Sequence, residues 1–332
     1  MATGTTTSTQ VPAAVRLFYD RILLKRALPE LVHHLFGQQR PVKIGSGDQP
    51  KFRRYNSLAT ASIPLTEGIT PTKQQLAKTE VTGQLETYGQ YVEITDYVQY
   101  TNEDAVLTET AELLGENAGE SLDEVYRDTL VGGTSALNGG SVSARTDIVT
   151  SQTEADYKKI VRAMSIAKAK KWVDMPIYGS DKVGTSPVGA AYFAIIDPAA
   201  YYDLVALTNF QKVSEYPTQN GVLPQEVGAL GHIRFVMTTK AKVYADGGGA
   251  VGSTGLATTS DSLIDVHTAL IFGKNAYGVT PLMGKALQNI IKPLGAGEDA
   301  LNQRSTSGWK AITDIVILNE AFMYRYEFGV TA

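Results

Sequence analysis

Residues 102–131 carry Leu107, Ala111, Leu114, Ala118, Leu122 and Val125 at spacings of three and four, the mark of one narrow apolar stripe on a long helix. Asn102 reads as its N-cap, Glu103 and Asp104 fill the first turn, and Gly132-Gly133 stops it. About 30 residues rising about 1.5 Å each span roughly 45 Å, far beyond the mean helix. The other faces are acidic: Glu103, Asp104, Glu109, Glu112, Glu116, Glu120, Asp123, Glu124 and Asp128 stand against Arg127 alone. A fold built on this chain must house that rod.

Upstream, Val15, Phe18, Ile22 and Leu23 fall at helical spacing, and Pro29 is suited to open a second short helix. A Gly/Pro-interrupted linker follows from 41 to 50, so residues 1–50 read as an arm with few partners in its own domain. Residues 51–100 read as two long strands around a turn region marked by Pro64, Gly68 and Pro71, the second strand running through Thr79, Val81, Gln84, Leu85, Tyr91, Val92, Ile94, Tyr97 and Val98. Such a hairpin exposes unpaired edges, a liability in a monomer.

Downstream, Ser151 with Glu154 makes a capping box for a helix to about Lys171, with lysines near its C-terminal end where they favour the dipole. A strand at 192–196, a helix at 198–207 and a strand at 233–237 alternate as in a mixed α and β layer. Residues 247–259, opened by three glycines, read as a flexible loop.

Composition narrows function more than fold. There is no cysteine, which excludes disulfides and thiolate metal sites. The Thr-rich start resembles no signal peptide, and no apolar run approaches the roughly 20 residues of a membrane span, so a soluble protein made in a cytoplasm is expected, with no membrane partner. A net charge of −4 argues against a dedicated nucleic-acid binder. Charged residues make up only 19%, which suits a surface largely occupied by subunit contacts.

Catalytic signals are weak. Residues 295–300, GAGEDA, match a dinucleotide fingerprint formally, but Pro293 interrupts the approach and LNQRSTSG follows in place of a helix. His33 and His34 are adjacent, and His232 and His267 are isolated, so none has metal-ligand spacing and structural roles are expected. There is no Walker loop, nucleophile elbow or HExxH. No enzyme activity and no cofactor are expected.

The C-terminal end has the strongest pattern. An Asn302-Gln303-Arg304 turn leads through Gly308-Trp309-Lys310 into a β-branched run over 312–318. Phe322, Tyr324, Tyr326 and Phe328 then alternate with Met323, Arg325 and Glu327, which places the aromatics on one strand face. This stretch resembles the C-terminal signature of tailed-bacteriophage major capsid proteins with the HK-97 fold, in the branch typified by coliphage N-4. Three more blocks resemble that family in the same order: Leu65 to Asp96 its hairpin arm, Leu113 to Glu120 its central helix, and Gly273 to Val279 a further segment.

The resemblance implies an α+β HK-97-type fold: an N-terminal arm (1–50), an extended β-hairpin or E-loop (51–100), a peripheral domain with the spine helix (101–184), an axial domain (185–294) and C-terminal strands returning to the peripheral domain (295–332). It implies a virion shell protein, assembled in the host cytoplasm, whose copies form pentamers and hexamers of an icosahedral head around double-stranded DNA held by weak non-specific contact. Expected partners are a separate scaffolding protein, since the arm and hairpin leave no room ahead of the spine for a fused one, a portal protein and, where the shell carries one, a decoration protein. An encapsulin-like compartment of the same fold is the alternative, and an α/β enzyme using the Gly295 loop a third. Some relatives crosslink through a hairpin lysine; Lys73 and Lys78 lie there, with solvated lysine as the plainer reading.

Charge is unevenly distributed. Residues 1–54 hold nine Lys/Arg against three Asp/Glu, a net +6, leaving −10 for the remainder. Arg21, Lys25 and Arg26 of the arm are therefore expected to lie on Glu112, Glu116 and Glu120 of a spine helix, its own or a neighbour's, through weak screened pairs that favour register.

Overall fold

The computed structural model describes residues 23, 27, 31–41, 48–55, 58, 64, 67–68, 70, 73–101, 106–172, 189–216, 221–252, 254–280, 287–293 and 301–332. In chain order the elements are β1 (Gln38–Gln39), β2 (Lys51–Tyr55), β3 (Lys78–Thr82), β4 (Glu86–Thr95), α1 (Asp96–Thr101), α2 (Val106–Val131), β5 (Ala136–Asn138) and α3 (Glu154–Ile166). There follow β6 (Tyr192–Ile196), α4 (Pro198–Val205), β7 (Phe210–Lys212), β8 (Glu226–Leu230), β9 (Ile233–Met237), β10 (Val243–Tyr244) and β11 (Val266–Phe272). The chain closes with β12 (Tyr277–Val279), β13 (Leu287–Lys292), β14 (Arg304–Thr313), β15 (Ile315–Ile317) and β16 (Met323–Gly329). Among the described residues no helix is long and apolar enough to cross a membrane.

The strands form an eight-stranded sheet in the order β5-β16-β11-β6-β9-β8-β7 with β10 paired to β11, two three-stranded sheets (β13-β14-β4 and β1-β12-β15), and a two-stranded hairpin of β2 and β3. The large sheet is covered on both faces, and period-2 alternation sorts its side chains between them. Phe193, Ile195, Val236, Leu270, Phe272 and Met323 join one core with the spine helix α2 and residues 31–36. Ala194, Ile196, Phe235, Ile271, Tyr326 and Phe328 join the other, under α3 and α4. The expected alternation of β16 is thus present, and its apolar and polar rows are both buried or half-buried because the strand lies between β11 and β5.

The spine ends where Gly132-Gly133 predicted, with the Gly133 N–H bonded to Leu130 O at 3.1 Å. Arg325 adds a clamp: its Nη1 donates to the Val131 and Gly133 carbonyls, satisfying acceptors the helix end leaves open. The expected cap at Asn102 lies outside the described residues. The apolar stripe is buried at Ala111, Leu114, Ala118 and Leu122, extended by Tyr126 and Leu130. Asp123, expected on the acidic surface, is instead fully buried.

Several boundaries differ from expectation. The helix begun by a capping box at Ser151 is capped two residues later: Thr153 accepts from the Asp156 N–H and its hydroxyl donates to Asp156 Oδ2 at 2.9 Å. Ser151 itself bridges to Gly329. That helix stops at Ile166, not Lys171, because Lys168 turns left-handed (φ 59°) and the Ala169 N–H closes back on Met164 O. Helix α4 ends at Val205, two residues short of 207. The single strand expected over 79–98 breaks at residues 83–85: β3 pairs with β2, β4 pairs with β14, and Tyr97 and Val98 belong to α1. The β-branched run at 312–318 is likewise divided, since Asp314 separates β14 from β15. The expected loop at 247–259 lacks a named strand but is tied down by backbone bonds from Gly248 to Ile264 and from Gly249 to Ile148, each 2.9 Å.

The arm departs furthest from expectation in its described part. Leu23, Ala27, Leu31, Val32 and Phe36 are buried within the chain's own core. Phe36 stacks on Phe193 at 4.6 Å, so residues 31–36 fill the space between the spine and the large sheet. Of the apolar positions that gave the arm its helical spacing, Leu23 is described and finds its partners inside the fold, while Val15, Phe18 and Ile22 lie outside the described residues.

Candidate functional site

The acidic spine was expected to meet the arm, but Arg21, Lys25 and Arg26 lie outside the described residues. Of the three expected acceptors, Glu120 is engaged within the chain: Lys240 Nζ lies 3.2 Å from its carboxylate and 3.4 Å from that of Glu124. The hydrogen bond that Lys240 donates to Glu120, and the Glu120 charge, raise the Lys240 pKa against a desolvation that would lower it. One turn on, Lys242 and Arg127 reach Asp128 at 3.1 and 3.0 Å. Burial pushes the Asp128 carboxyl up, but these two cations outweigh it and hold it below its ordinary value. The C-terminal half of the spine is therefore neutralised by the 240–242 segment. Its N-terminal half keeps Glu109 and Glu116 exposed around Leu113, which is 64% exposed, with Glu112 half-buried.

Beneath the spine lies a polar centre that sequence reasoning missed. The His33 N–H donates to Asp123 Oδ1 and His33 Nδ1 meets Asp123 Oδ2, both at 2.8 Å and fully buried. Tyr277 donates its hydroxyl to His33 O at 2.6 Å. Beside them, burial lowers the His34 pKa, against the opposing pull of a Thr280 backbone bond and the Asp123 charge. The signal was present: Asp123 follows Leu122 on the apolar stripe, three residues before Tyr126, where a carboxylate requires a buried partner. His267 contacts Asp197 Oδ2 at 3.1 Å.

The third region is a sheet covered on one face and open along β4. The inner face of β13-β14-β4 rests on the spine, with Trp309 Nε1 donating to Asn117 Oδ1 at 3.0 Å. The register places Ile290, Gly308 and Tyr91 abreast on the outer face, where Tyr91 is 66% exposed. A side chain at Gly308 would meet Tyr91 Cβ at 2.7 Å, so glycine there lets the ring lie across the sheet. Strand β4 is an edge among the described residues, and of its ten residues Ile94 alone is buried. The neighbouring hairpin β2-β3 is mostly exposed, with Lys78 and Arg53 on Glu80 at 2.8 and 3.1 Å.

Where hairpin, sheet and spine join there is a cavity of about 270 Å³, lined on its polar side by Gly83, Gln84, Glu86, Tyr88, Tyr126 and Asp314. The Tyr126 and Thr313 hydroxyls meet at 2.5 Å. Burial raises the Asp314 pKa, only partly opposed by the Gln84 and Ile315 backbone N–H groups, and its Oδ2 is buried without a hydrogen bond. Burial and the Glu86 carboxylate push Tyr88 up to about 12. Among the described residues no group of three or more His, Cys, Asp or Glu is arranged to hold a metal ion. The dinucleotide-like stretch at 295–300 lies outside the described residues. The geometry offers open edges, charged strips and apolar patches: the means of binding other chains.

Comparison with known proteins follows the same line. A family model described as phage capsid protein matches residues 78–281. No curated protein matches the chain. Among solved structures, the capsid of Ralstonia phage GP4 superposes with a TM-score of 0.64 at 13% identity, covering 86% of this chain and 85% of the other. The cyanophage Pam1 capsid covers 100% and 97% of the two chains (TM-score 0.59, 14% identity), and that of cyanophage P-SCSP1u covers 90% and 86% (TM-score 0.56, 17% identity). At these identities the likeness is one of fold, and that fold is the HK-97 type expected from the sequence.

Proposed function

We propose, from the premise that this chain belongs to the phage capsid protein family, that it is the major capsid protein of a tailed phage and forms the pentamers and hexamers of an icosahedral head around double-stranded DNA. The observation that carries this reading is β4, a ten-residue strand that is an edge among the described residues, exposed along nearly its whole length, carrying Tyr91 and lying near Tyr97 and Ile290. A long open edge with exposed aromatics invites aggregation in a monomer, whereas in a shell it is the contact. The two covered faces of the large sheet supply the rigid body that such contacts need.

In this reading residues 185–294 meet their copies around the capsomer axis, and the spine with β4, β13 and β14 carries the contacts between capsomers. A separate scaffolding protein sets curvature, a portal occupies one vertex, and the net charge of −4 suits a wall past which DNA slides during packaging. Placement in the coliphage N-4 branch belongs to this proposal too.

The test is negative-stain electron microscopy of the purified full-length chain, produced alone and with the phage's scaffolding protein, under macromolecular crowding. Closed shells of uniform diameter are expected. A chain that stays monomeric under all these conditions overturns the reading, and a defined cargo enzyme copurifying inside the shells would move it to an encapsulin-like compartment.

A further inference from the structure

Two helical strips of opposite charge lie on opposite sides of the large sheet, each with a bare apolar residue in its middle. On the spine, Glu109, Leu113 and Glu116 follow one another at i, i+4 and i+7 and so share a face. On α3, Arg162 and Ile166 stand four apart, and Ile166 is 76% exposed, the largest value among the described large hydrophobic residues. The left-handed turn at Lys168 then brings Lys168, Lys170 and Lys171 directly beyond the helix end. Earlier on α3 the cations are neutralised locally, Lys158 by Glu154 at 2.7 Å and Lys159 by Asp156 at 2.8 Å. Arg162, Lys168 and Lys170 are exposed and have no carboxylate partner among the described residues.

The strips match in sign, in helical spacing and in a central aliphatic residue, yet they cannot meet within one chain. Helix α3 packs in the core under one face of the eight-stranded sheet, and α2 belongs to the core on the other. We propose that the basic end of α3 docks on the acidic N-terminal half of the spine helix of a second copy, Ile166 against Leu113, with Arg162, Lys168 and Lys170 facing Glu109 and Glu116. This contact rests on the reading of the chain as a capsid subunit and adds to it a specific recognition surface. It is heterologous, each copy using a different patch from the one it binds, and heterologous contacts close into rings when the rotation permits. The arm is the competing source of cations for the same carboxylates. The α3 strip is favoured because it also supplies a bare aliphatic residue for Leu113, which neither solvated arm charges nor a phosphate backbone would use.

The test uses two full-length variants. One carries Arg162→Glu, Lys168→Glu and Lys170→Glu; the other carries Glu109→Lys and Glu116→Lys. All five side chains are at the surface, so circular dichroism and thermal melting of the unassembled chains should match wild type. Each variant alone should lose at least tenfold in initial assembly rate, followed by light scattering in low salt, and an equimolar mixture should recover most of it, because each then finds its complement. Ile166→Asp alone should also slow assembly, with an effect that persists when salt screens the charges.

Wild-type assembly with no defect in either charge variant overturns the α3-to-spine contact and leaves the capsid reading intact. So does a mixture of folded variants that fails to recover. Shells of the α3 variant that form normally but lose packaged DNA would assign the basic end to nucleic acid. Rescue of the spine variant by Arg21→Glu, Lys25→Glu and Arg26→Glu would assign the acidic strip to the arm. A wild-type chain that never assembles overturns the underlying reading itself.

Discussion

Strands β11 and β4 are both central to this chain, and they are built on opposite plans. All seven residues of β11 are buried, paired with β16, β6 and β10 in a sheet covered on both faces. β4 is longer, pairs on one side, and hides Ile94 alone. A strand whose contacts come from its own chain is supported by the folding of that chain. One whose surface remains open draws its remaining stabilisation from elsewhere, and its composition of Tyr, Val and Ile beside Gly suits a surface awaiting cover.

The contrast is sharpest in stability. Phe272→Ala removes a ring that packs on Tyr277 at 5.1 Å and on Phe36 at 6.5 Å. It should cost the unassembled chain about 3–5 kcal/mol, read from denaturant unfolding. Asp123→Ala strands the His33 N–H and ring in the core and should cost about 1–3 kcal/mol by the same measurement, while leaving the exposed sheet unchanged.

A smaller effect is expected where the two regions join. The Asp314 carboxyl has its pKa raised by burial, so the fold favours its neutral form. Its stabilising contribution is greatest with the proton on, and it declines as pH rises from the ordinary carboxylate range through the raised value, then levels off. Asp314→Asn should therefore gain melting temperature over wild type progressively across that window and hold a constant margin above it. A margin that shrinks with rising pH would show instead that the Gln84 and Ile315 N–H groups outweigh burial and favour the carboxylate, and a flat margin would show no shift. Last, Tyr91→Ser should alter stability of the unassembled chain by no more than about 0.5 kcal/mol yet slow assembly. If it destabilises the chain as much as Phe272→Ala does, β4 is a core strand and the comparison fails.

Legibility in the sequence followed the same division. The spine, β6, β9 and the alternation of β16 could be read because period and burial agree there: each apolar row meets a core. Along 79–98 they part company, since a run of Tyr, Val and Ile looks continuous whether one sheet receives it or two. At the break a Cβ on Gly83 would lie 1.7 Å from Asp314 Oδ2, so glycine is what lets the chain pass that carboxylate between the two sheets. The arm was misjudged because Leu31, Val32 and Phe36 find partners in β6, β11 and β12, far along the chain. For the site, the acidic spine was plain, but its pairing with Lys240 and Lys242 was not, because those lysines carry no local pattern pointing back to residues 120–128.

Strand β16, the last of the described strands in chain order, lies inside the large sheet, between β5 and β11. Until residue 329 has left the ribosome that sheet has a gap in it, Tyr326 and Phe328 are missing from the core under α3, and Arg325 is not there to clamp the spine. Unfinished copies therefore lack the rigid body that presents β4 and the charged strips. In the proposed shell, synthesis through residue 329 would then act as a checkpoint on membership, keeping chains truncated before that point out of the assembly.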